Sequence, residues 1–200
     1  MADAVARLAA MIRDASPTGR AHVVGLSFGG VVAQAMLVQA PEVVDHVILS
    51  GTAARFGPTL LAALKAQVAL SQWLMARLSS QQLGALMSLQ LSLPAEYRPM
   101  LEEDMRRVPA EAMARFLLAT YAEIVTPTRA TTPVLVAVGQ KETVVARAMA
   151  RRLHRAIAGS QGIVVPRANH VWNLQYPDLF AEVVRAWVTD RPLPEGMRAL

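Results

Sequence analysis

A serine lies at the centre of a glycine-rich hexapeptide, and this pattern is the clearest chemical signal in the chain. The residues are Gly25-Leu26-Ser27-Phe28-Gly29-Gly30, which contain the pattern G-x-S-x-G. In a sharp turn between a strand and a helix, such a serine is held in a strained backbone conformation with its hydroxyl above the sheet. We expect Gly25 and Gly29 to make room where side chains would collide. Ser27 is therefore the candidate nucleophile.

The residue after the serine is placed to stabilise negative charge. The backbone N–H of Phe28 would lie at the N-terminus of the next helix, where an anion is favoured. We expect it to form one half of an oxyanion hole for the acyl oxygen.

Two alternatives remain for the hexapeptide. One is a glycine-rich turn with an incidental serine; the other is a dinucleotide-binding turn, although G-x-G-x-x-G is not matched.

A serine hydroxyl needs a general base, and the chain has four histidines. His22 and His46 fall in predicted strands at the wrong end of the sheet, and His154 falls in a helix among arginines. His170 instead follows a strand in the loop 166–170. Because loops at the carboxyl ends of parallel strands carry the chemistry of open α/β sheets, we expect His170 to be the base. A capping or packing role is the alternative.

An acidic residue must orient the base and stabilise its protonated form. Glu142 lies in the loop after another predicted strand, and the resulting chain order is serine, acid, histidine. The alternative for Glu142 is a place near the start of the next helix, where a carboxylate is favoured in any case. Glu123 is the second candidate for the acid, but it falls in a helical pattern.

The elements that position these residues follow from the hydrophobic pattern, in which short apolar runs predict buried strands and amphipathic runs predict helices. We predict strands over 21–26, 44–50, 133–138 and 162–165, and helices over 3–15, 28–39, 59–78, 80–92, 95–107, 110–124, 144–158 and 177–189. This order predicts an α/β fold, a parallel sheet with crossover helices. We expect residues 1–56 and 126–190 to form the core, 57–125 a helical cap, and 191–200 a tail beyond the folded part.

Composition narrows the class of protein. With 200 residues and 54% hydrophobic residues, the chain is long enough to bury one core. The lack of cysteine excludes disulfides, thiolate metal sites and cysteine nucleophiles. The net charge of +5 is scattered along the chain, so we do not expect nucleic-acid binding.

The start of the chain has no basic segment followed by an apolar one, so no signal peptide is evident. The run 21–40 has no charged residue, but glycines and polar residues interrupt it. A buried strand, turn and helix explain this run better than a membrane span does. We expect a cytoplasmic protein that uses no cofactor and no metal ion.

Three segments together resemble the cofactor-free α/β-hydrolase superfamily with a helical cap, which includes esterases, meta-cleavage-product hydrolases, non-haem haloperoxidases and epoxide hydrolases. HVVGLSFGG resembles its nucleophile elbow, the turn between a strand and a helix that carries the reactive serine. PVLVAVGQKE resembles its acid strand, with Glu142 where aspartate is usual. VVPRANHVWNLQYPDLFAEVVRAWV resembles its histidine loop and closing helix. The resemblance covers nearly all of residues 1–190. It implies a triad of Ser27, His170 and Glu142 that hydrolyses an ester or a related acyl bond.

The resemblance is incomplete at the start of the chain. Members of the superfamily carry four strands and a helix before the strand that corresponds to 21–26, together with a His-Gly-type loop that supplies the second oxyanion N–H. Nothing here matches that loop, which implies an N-terminally truncated core and slow catalysis by the chain alone. Strand 21–26 would then be an exposed edge that invites pairing. We expect a homodimer or a separate chain to cover it; alternatively, helix 3–15 or the cap helices fold over it.

Three functions remain open. The first is a serine hydrolase acting on a small apolar acyl or aromatic substrate. The second is a non-catalytic, truncated hydrolase-like protein that binds a partner or an apolar ligand. The third is perhydrolase or haloperoxidase chemistry on the same triad.

Overall fold

The computed structural model describes residues 1–75, 77–108 and 110–200. They form two compact units, one of Met1–Arg55 with Ile124–Leu200 and one of Phe56–Glu123. No helix within the described ranges is long and apolar enough to cross a membrane. All three candidate triad residues belong to the first unit.

The first unit is built on a sheet whose strands follow one another in chain order. The strands are β1 (Ala21–Leu26), β2 (Val44–Ser50), β3 (Val134–Gly139), β4 (Gln161–Val165) and β5 (Arg198–Ala199). The strands β1 to β4 pair in parallel, and β5 pairs antiparallel with β4. In the register, Leu26 lies opposite Ser50, and Ser50 lies opposite Ala137. The carboxyl ends of β1, β2 and β3 are therefore side by side.

Alternate residues of the central strands face two apolar clusters, as expected for a sheet covered on both faces. Helices α1 (Ala2–Ala15), α2 (Phe28–Gln39) and α7 (Val144–Ala156) contribute to one cluster, which contains Val136 of β3. Helices α8 (Trp172–Gln175) and α9 (Pro177–Val188) contribute to the other, which contains Leu135. The sheet is thus a rigid support for the loops at its carboxyl edge.

Among the residues that the structure describes, strand β1 lies at the edge of the sheet and pairs with β2 on one side only. On this strand His22 and Val24 are exposed. Helix α1 packs its buried residues Val5 and Ala9 into the cluster on one face of the sheet.

The tail 191–200 differs from the sequence-based expectation. It contains β5, in which Arg198 lies opposite Val164, and the N–H of Leu200 donates a hydrogen bond to the carbonyl of Gly162 at 3.1 Å. The tail therefore pairs with the outer side of β4 instead of ending the folded part. A two-residue strand has no hydrophobic period, so only the unpaired backbone groups of β4 specify it.

The second unit consists of helices, which are α3 (Pro58–Met75), α4 (Ser80–Leu91), α5 (Arg98–Arg107) and α6 (Ala110–Glu123). Helices α3 and α6 pack together, as do α4 and α5. A capping box starts α4, in which the Ser79 hydroxyl accepts from the Gln82 N–H at 3.2 Å and the Gln82 side chain accepts from the Ser79 N–H at 2.9 Å. Gly84 allows α5 to approach closely, since a Cβ there would lie 2.9 Å from Cγ of Glu102.

Candidate active site

Ser27 occupies the sharp turn between β1 and α2, and its backbone is strained. Its φ is 54° and its ψ is −117°, a region that residues other than glycine rarely adopt. The Ser27 N–H donates a hydrogen bond to the Ser50 carbonyl at 2.9 Å, which ties the turn to the end of β2. The serine is exposed, and Phe28 follows it as the first residue of α2. The turn thus presents the hydroxyl at the carboxyl edge of the sheet.

The sequence pattern predicts that two glycines around Ser27 make room where side chains would collide. The structure shows such a collision at only one of the two. A Cβ at Gly25 would clash with the backbone of α2, at 2.7 Å from Cα of Gly30, so this glycine makes the turn possible. A Cβ at Gly29 would meet nothing within 4 Å, so the expectation of a collision there is wrong. The second crowded position is Gly30, where a Cβ would lie 2.6 Å from Cβ of Thr52. The reason is that α2 packs against the segment after β2 through Gly30.

His170 and Glu142 form a hydrogen-bonded pair. The distance from Nδ1 of His170 to Oε2 of Glu142 is 2.9 Å, and the Gly139 N–H donates to Oε1 of Glu142 at 3.1 Å. The carboxylate is 5% exposed and the imidazole 24%. Because an ionised carboxylate only accepts hydrogen bonds, Nδ1 carries the proton and Nε2 of a neutral imidazole is an acceptor. The predicted base and the predicted acid are therefore hydrogen-bonded to each other in this chain.

Backbone hydrogen bonds join the loop that carries Glu142 to the loop that carries His170. The Lys141 N–H donates to the Ala168 carbonyl at 2.8 Å, and the Gln140 N–H donates to the Val165 carbonyl at 2.9 Å. At Gly139 a Cβ would lie 2.7 Å from the Asn169 carbonyl oxygen, so a side chain would separate the two loops. The position of the carboxylate relative to the imidazole is thus set by main-chain contacts.

The His170 ring lies against Gly51, the residue that follows Ser50 in the chain. Because Leu26 pairs with Ser50, Gly51, the residue after β2, follows the strand end at the level where Ser27 follows β1. The imidazole is therefore placed beside the elbow. Although both residues are described, no hydrogen bond joins the Ser27 hydroxyl to His170 in this structure. Such bonds are often long without substrate and shorten in the complex.

The other histidines have contacts away from the elbow. Nδ1 of His154 is 2.9 Å from Oγ of Ser160, and Nε2 of His46 is 3.3 Å from Oδ1 of Asp190. The ring of His22 lies 4.9 Å from that of His46. Glu123, the second candidate for the acid, ends α6 in the second unit. Of the four histidines, His170 is the one that contacts a carboxylate at the carboxyl edge of the sheet.

Sequence reasoning did not single out Ser50, Gly51 and Trp172, although they adjoin the candidate triad. Ser50 ends β2 and Gly51 follows it, and the rule that carboxyl ends of parallel strands carry sites could have indicated them. The hydrogen bond from Trp172 to Ser50 has no local sequence signal, because the two residues are 122 positions apart. Within the described part of the chain, no group of three or more His, Asp or Glu residues could hold a metal ion.

Comparison with known proteins identifies relatives of this arrangement. A model of the alpha/beta hydrolase family matches residues 1–183. A curated protein of Gibberella zeae, described as an AB hydrolase superfamily protein, is 28% identical over 213 residues. The alignment covers 99% of this chain and 66% of that protein, so the chain spans slightly less than two thirds of the relative's length.

Solved structures share the fold at low sequence identity. A hydrolase of Pseudomonas aeruginosa PA01 has a TM-score of 0.67 and 22% identity, with 92% of this chain and 71% of that one covered. An enol-lactonase of Burkholderia xenovorans LB400 has a TM-score of 0.68 and 23% identity, with 92% and 73% covered. A thermophilic esterase of Thermogutta terrifontis has a TM-score of 0.70 and 23% identity, with 92% and 70% covered.

Proposed function

The chain belongs to the alpha/beta hydrolase family, and from this premise we propose that it is a serine hydrolase that cleaves an ester or a related acyl bond. The hydrogen bond of 2.9 Å between His170 and Glu142 carries the proposal. The strained backbone of Ser27 supports it, because strain of this kind is concentrated at functional sites.

In the proposed mechanism the Ser27 hydroxyl oxygen attacks the acyl carbon, and Nε2 of His170 takes the hydroxyl proton. Glu142 accepts the Nδ1 hydrogen bond and stabilises the imidazolium that forms. The carbonyl oxygen becomes an oxyanion, to which the Phe28 N–H donates. When the tetrahedral intermediate collapses, His170 returns the proton to the leaving group. Water then attacks the acyl-serine ester with His170 again as the base, which regenerates Ser27 and releases the acid.

The proposed catalysis is slow for the chain alone. Among residues 1–75, 77–108 and 110–200 we assign one oxyanion donor, the backbone N–H of Phe28. Loss of one donor from an oxyanion hole costs about 10²–10³-fold in rate. A second chain that supplied another donor would therefore raise the rate.

The substrate class proposed here is a small molecule with an apolar acyl or aromatic group. Two solved structures of the same fold support an acyl substrate in general terms, since one is an enol-lactonase and another an esterase. Both act on bonds between an acyl carbon and an oxygen, which is the bond that Ser27 would attack in the proposed mechanism.

A second candidate function is a non-catalytic hydrolase-like protein that binds a partner or an apolar ligand. One observation favours it, namely that Ser27 and His170, both described, are not hydrogen-bonded to each other in this structure. In that case the His170–Glu142 pair would hold the two loops together and Ser27 would not react.

A fluorophosphonate probe distinguishes the two functions, because it reacts covalently with an activated serine. For a hydrolase we expect labelling at Ser27, mapped by mass spectrometry, and no label on the Ser27→Ala variant. In His170→Ala the labelling rate should fall by about 10²–10⁴-fold, the range for loss of a general base. The matched control is His22→Ala, which removes an exposed histidine of β1 and should label at the wild-type rate. A folded wild-type chain that is not labelled would exclude the hydrolase.

A further inference from the structure

Ser50 contacts both segments that carry the reacting groups of the proposed triad. It is the last residue of β2 and is fully buried. Its backbone carbonyl accepts the hydrogen bond of 2.9 Å from the Ser27 N–H. Its side-chain hydroxyl accepts a hydrogen bond of 2.8 Å from Nε1–H of Trp172, which follows His170 by two residues. One buried residue therefore joins the elbow to the histidine loop.

Trp172 is suited to transmit this contact to His170. Its side chain is fully buried, it starts α8, and its ring packs edge-on against Phe180 with 4.7 Å between ring centroids. A buried indole N–H that loses its acceptor is destabilising, so the ring would move to find another acceptor. Because His170 lies only two residues before Trp172 in the chain, such a movement would also displace the imidazole.

The residue after Ser50 extends the same network to the acid. The Gly51 N–H donates to the Ala137 carbonyl at 3.0 Å, on the strand whose following loop carries Glu142. The ring of His170 also lies against Gly51. The end of β2 is thus bonded to the elbow, to the acid strand and to the histidine loop.

We propose that Ser50 is a positioning residue, whose hydroxyl holds the His170 imidazole in register with the Ser27 hydroxyl through Trp172. Ser50 is buried and acts through its two neighbours, so it is not itself a catalytic residue. The proposal rests on the proposed function and adds a residue to the same site. A misplacement of about 1 Å between reacting groups lowers a rate by about 10²-fold.

The test is Ser50→Ala, which removes the hydroxyl and keeps the carbonyl that holds Ser27. We expect the fluorophosphonate labelling rate of Ser27 and kcat for p-nitrophenyl acetate to fall by about 10–100-fold, with KM unchanged. Trp172→Phe removes the same bond from the other side and should have the same effect. The double variant should be no slower than the slower single variant, because both changes remove one contact. Additive losses would overturn the proposal.

The matched control is Thr132→Ala. Its hydroxyl is buried in the same unit and has no hydrogen-bond partner among the described residues. Its removal should leave labelling and kcat unchanged. If Thr132→Ala lost as much activity as Ser50→Ala, loss of any buried hydroxyl would explain the result, and the positioning role would be wrong.

An NMR measurement separates this proposal from the proposed function. The Cε1–H resonance of His170, assigned by its loss in His170→Ala, reports the surroundings of the ring without any turnover. Ser50→Ala should shift this resonance and Thr132→Ala should not; if Ser50→Ala does not fold, Trp172→Phe provides the same comparison. A wild-type chain that is not labelled would contradict the hydrolase, yet a shifted resonance would still support positioning by Ser50. An unmoved resonance would overturn the positioning role.

Discussion

The imidazole of His170 lies directly on the backbone of Gly51, where a side chain cannot fit. A Cβ at Gly51 would lie 2.8 Å from Cε1 and 2.9 Å from Nδ1 of the ring, and 3.5 Å from Oε1 of Glu142. Gly51 also has a φ of +56°, which favours glycine. The absence of a side chain at Gly51, directly after β2, thus leaves the space that the His170 ring occupies.

Gly51→Ala should therefore damage the site more than the fold. We expect about 1–2 kcal/mol lower free energy of unfolding from the left-handed backbone alone. The labelling rate of Ser27 should fall by about 10²-fold or more, because the new methyl group displaces the imidazole. Urea unfolding and the fluorophosphonate assay measure the two effects. Gly57→Ala is the control, since a Cβ there meets nothing within 4 Å; equal losses in both variants would contradict the prediction.

Glu142→Gln tests the acid with almost no change of volume. The neutral amide no longer stabilises an imidazolium and can hold the ring in the wrong tautomer, so kcat should fall by roughly 10³–10⁴-fold. Glu142→Asp keeps the charge and should retain more activity than Glu142→Gln. Hydrolysis of p-nitrophenyl acetate measures both, with the exposed Glu182→Gln on α9 as the control. Wild-type activity in Glu142→Gln would show that the carboxylate is structural only.

The pair of Arg20 and Asp45 predicts a stability that depends on pH. Arg20 donates a hydrogen bond to Asp45, which lowers the pKa of that carboxyl below its ordinary value. A depressed pKa means that the contribution is complete above the ordinary value and is lost as the pH falls through the folded-state value. Asp45→Asn should thus be less stable by about 0.5–1 kcal/mol above pH 5, since the pair is partly exposed. The difference should begin to shrink as the pH falls below about 4 and should disappear only below the folded-state pKa of Asp45.

Urea unfolding of wild type and Asp45→Asn over this pH range measures the effect. Asp14→Asn, which changes an exposed carboxylate at the end of α1, is the control. A stability difference for Asp45→Asn that persists unchanged in acid would show that the charge of Asp45 is not its cause.

The exposed edge of β1 predicts self-association, and we propose a homodimer that pairs two such edges. A lysine at such an edge opposes pairing, so Val24→Lys should lower the dimer fraction. Light scattering coupled to size-exclusion chromatography measures it against the 21.6 kDa of one chain. Val38→Lys, which changes an exposed valine of α2, should leave the mass unchanged. A wild-type mass of one chain at every concentration would exclude the homodimer and leave a separate chain as the partner to seek.

The sequence alone determined the elements with strong local signals. Strands β1 and β2 have the predicted bounds, because apolar runs closed by a turn specify a buried strand locally. The pattern around Ser27 also predicted the turn locally. A strained serine between a strand and a helix needs a small residue two positions earlier, and Gly25 supplies it. Helix ends were less exact; α7 spans Val144–Ala156 where 144–158 was predicted, and the one-turn helix α8 has no periodic pattern.

Only the tertiary structure decided which residues meet. That His170 bonds Glu142, that its ring lies on Gly51, and that Trp172 donates to Ser50 all depend on contacts between segments far apart in the chain. Strand β5 also depends on the tertiary structure. It is a strand because it pairs with the free edge of β4, and its own composition does not specify it. Local patterns encode backbone conformation, whereas the distance between a nucleophile and its base is set when the carboxyl ends of neighbouring strands are brought together.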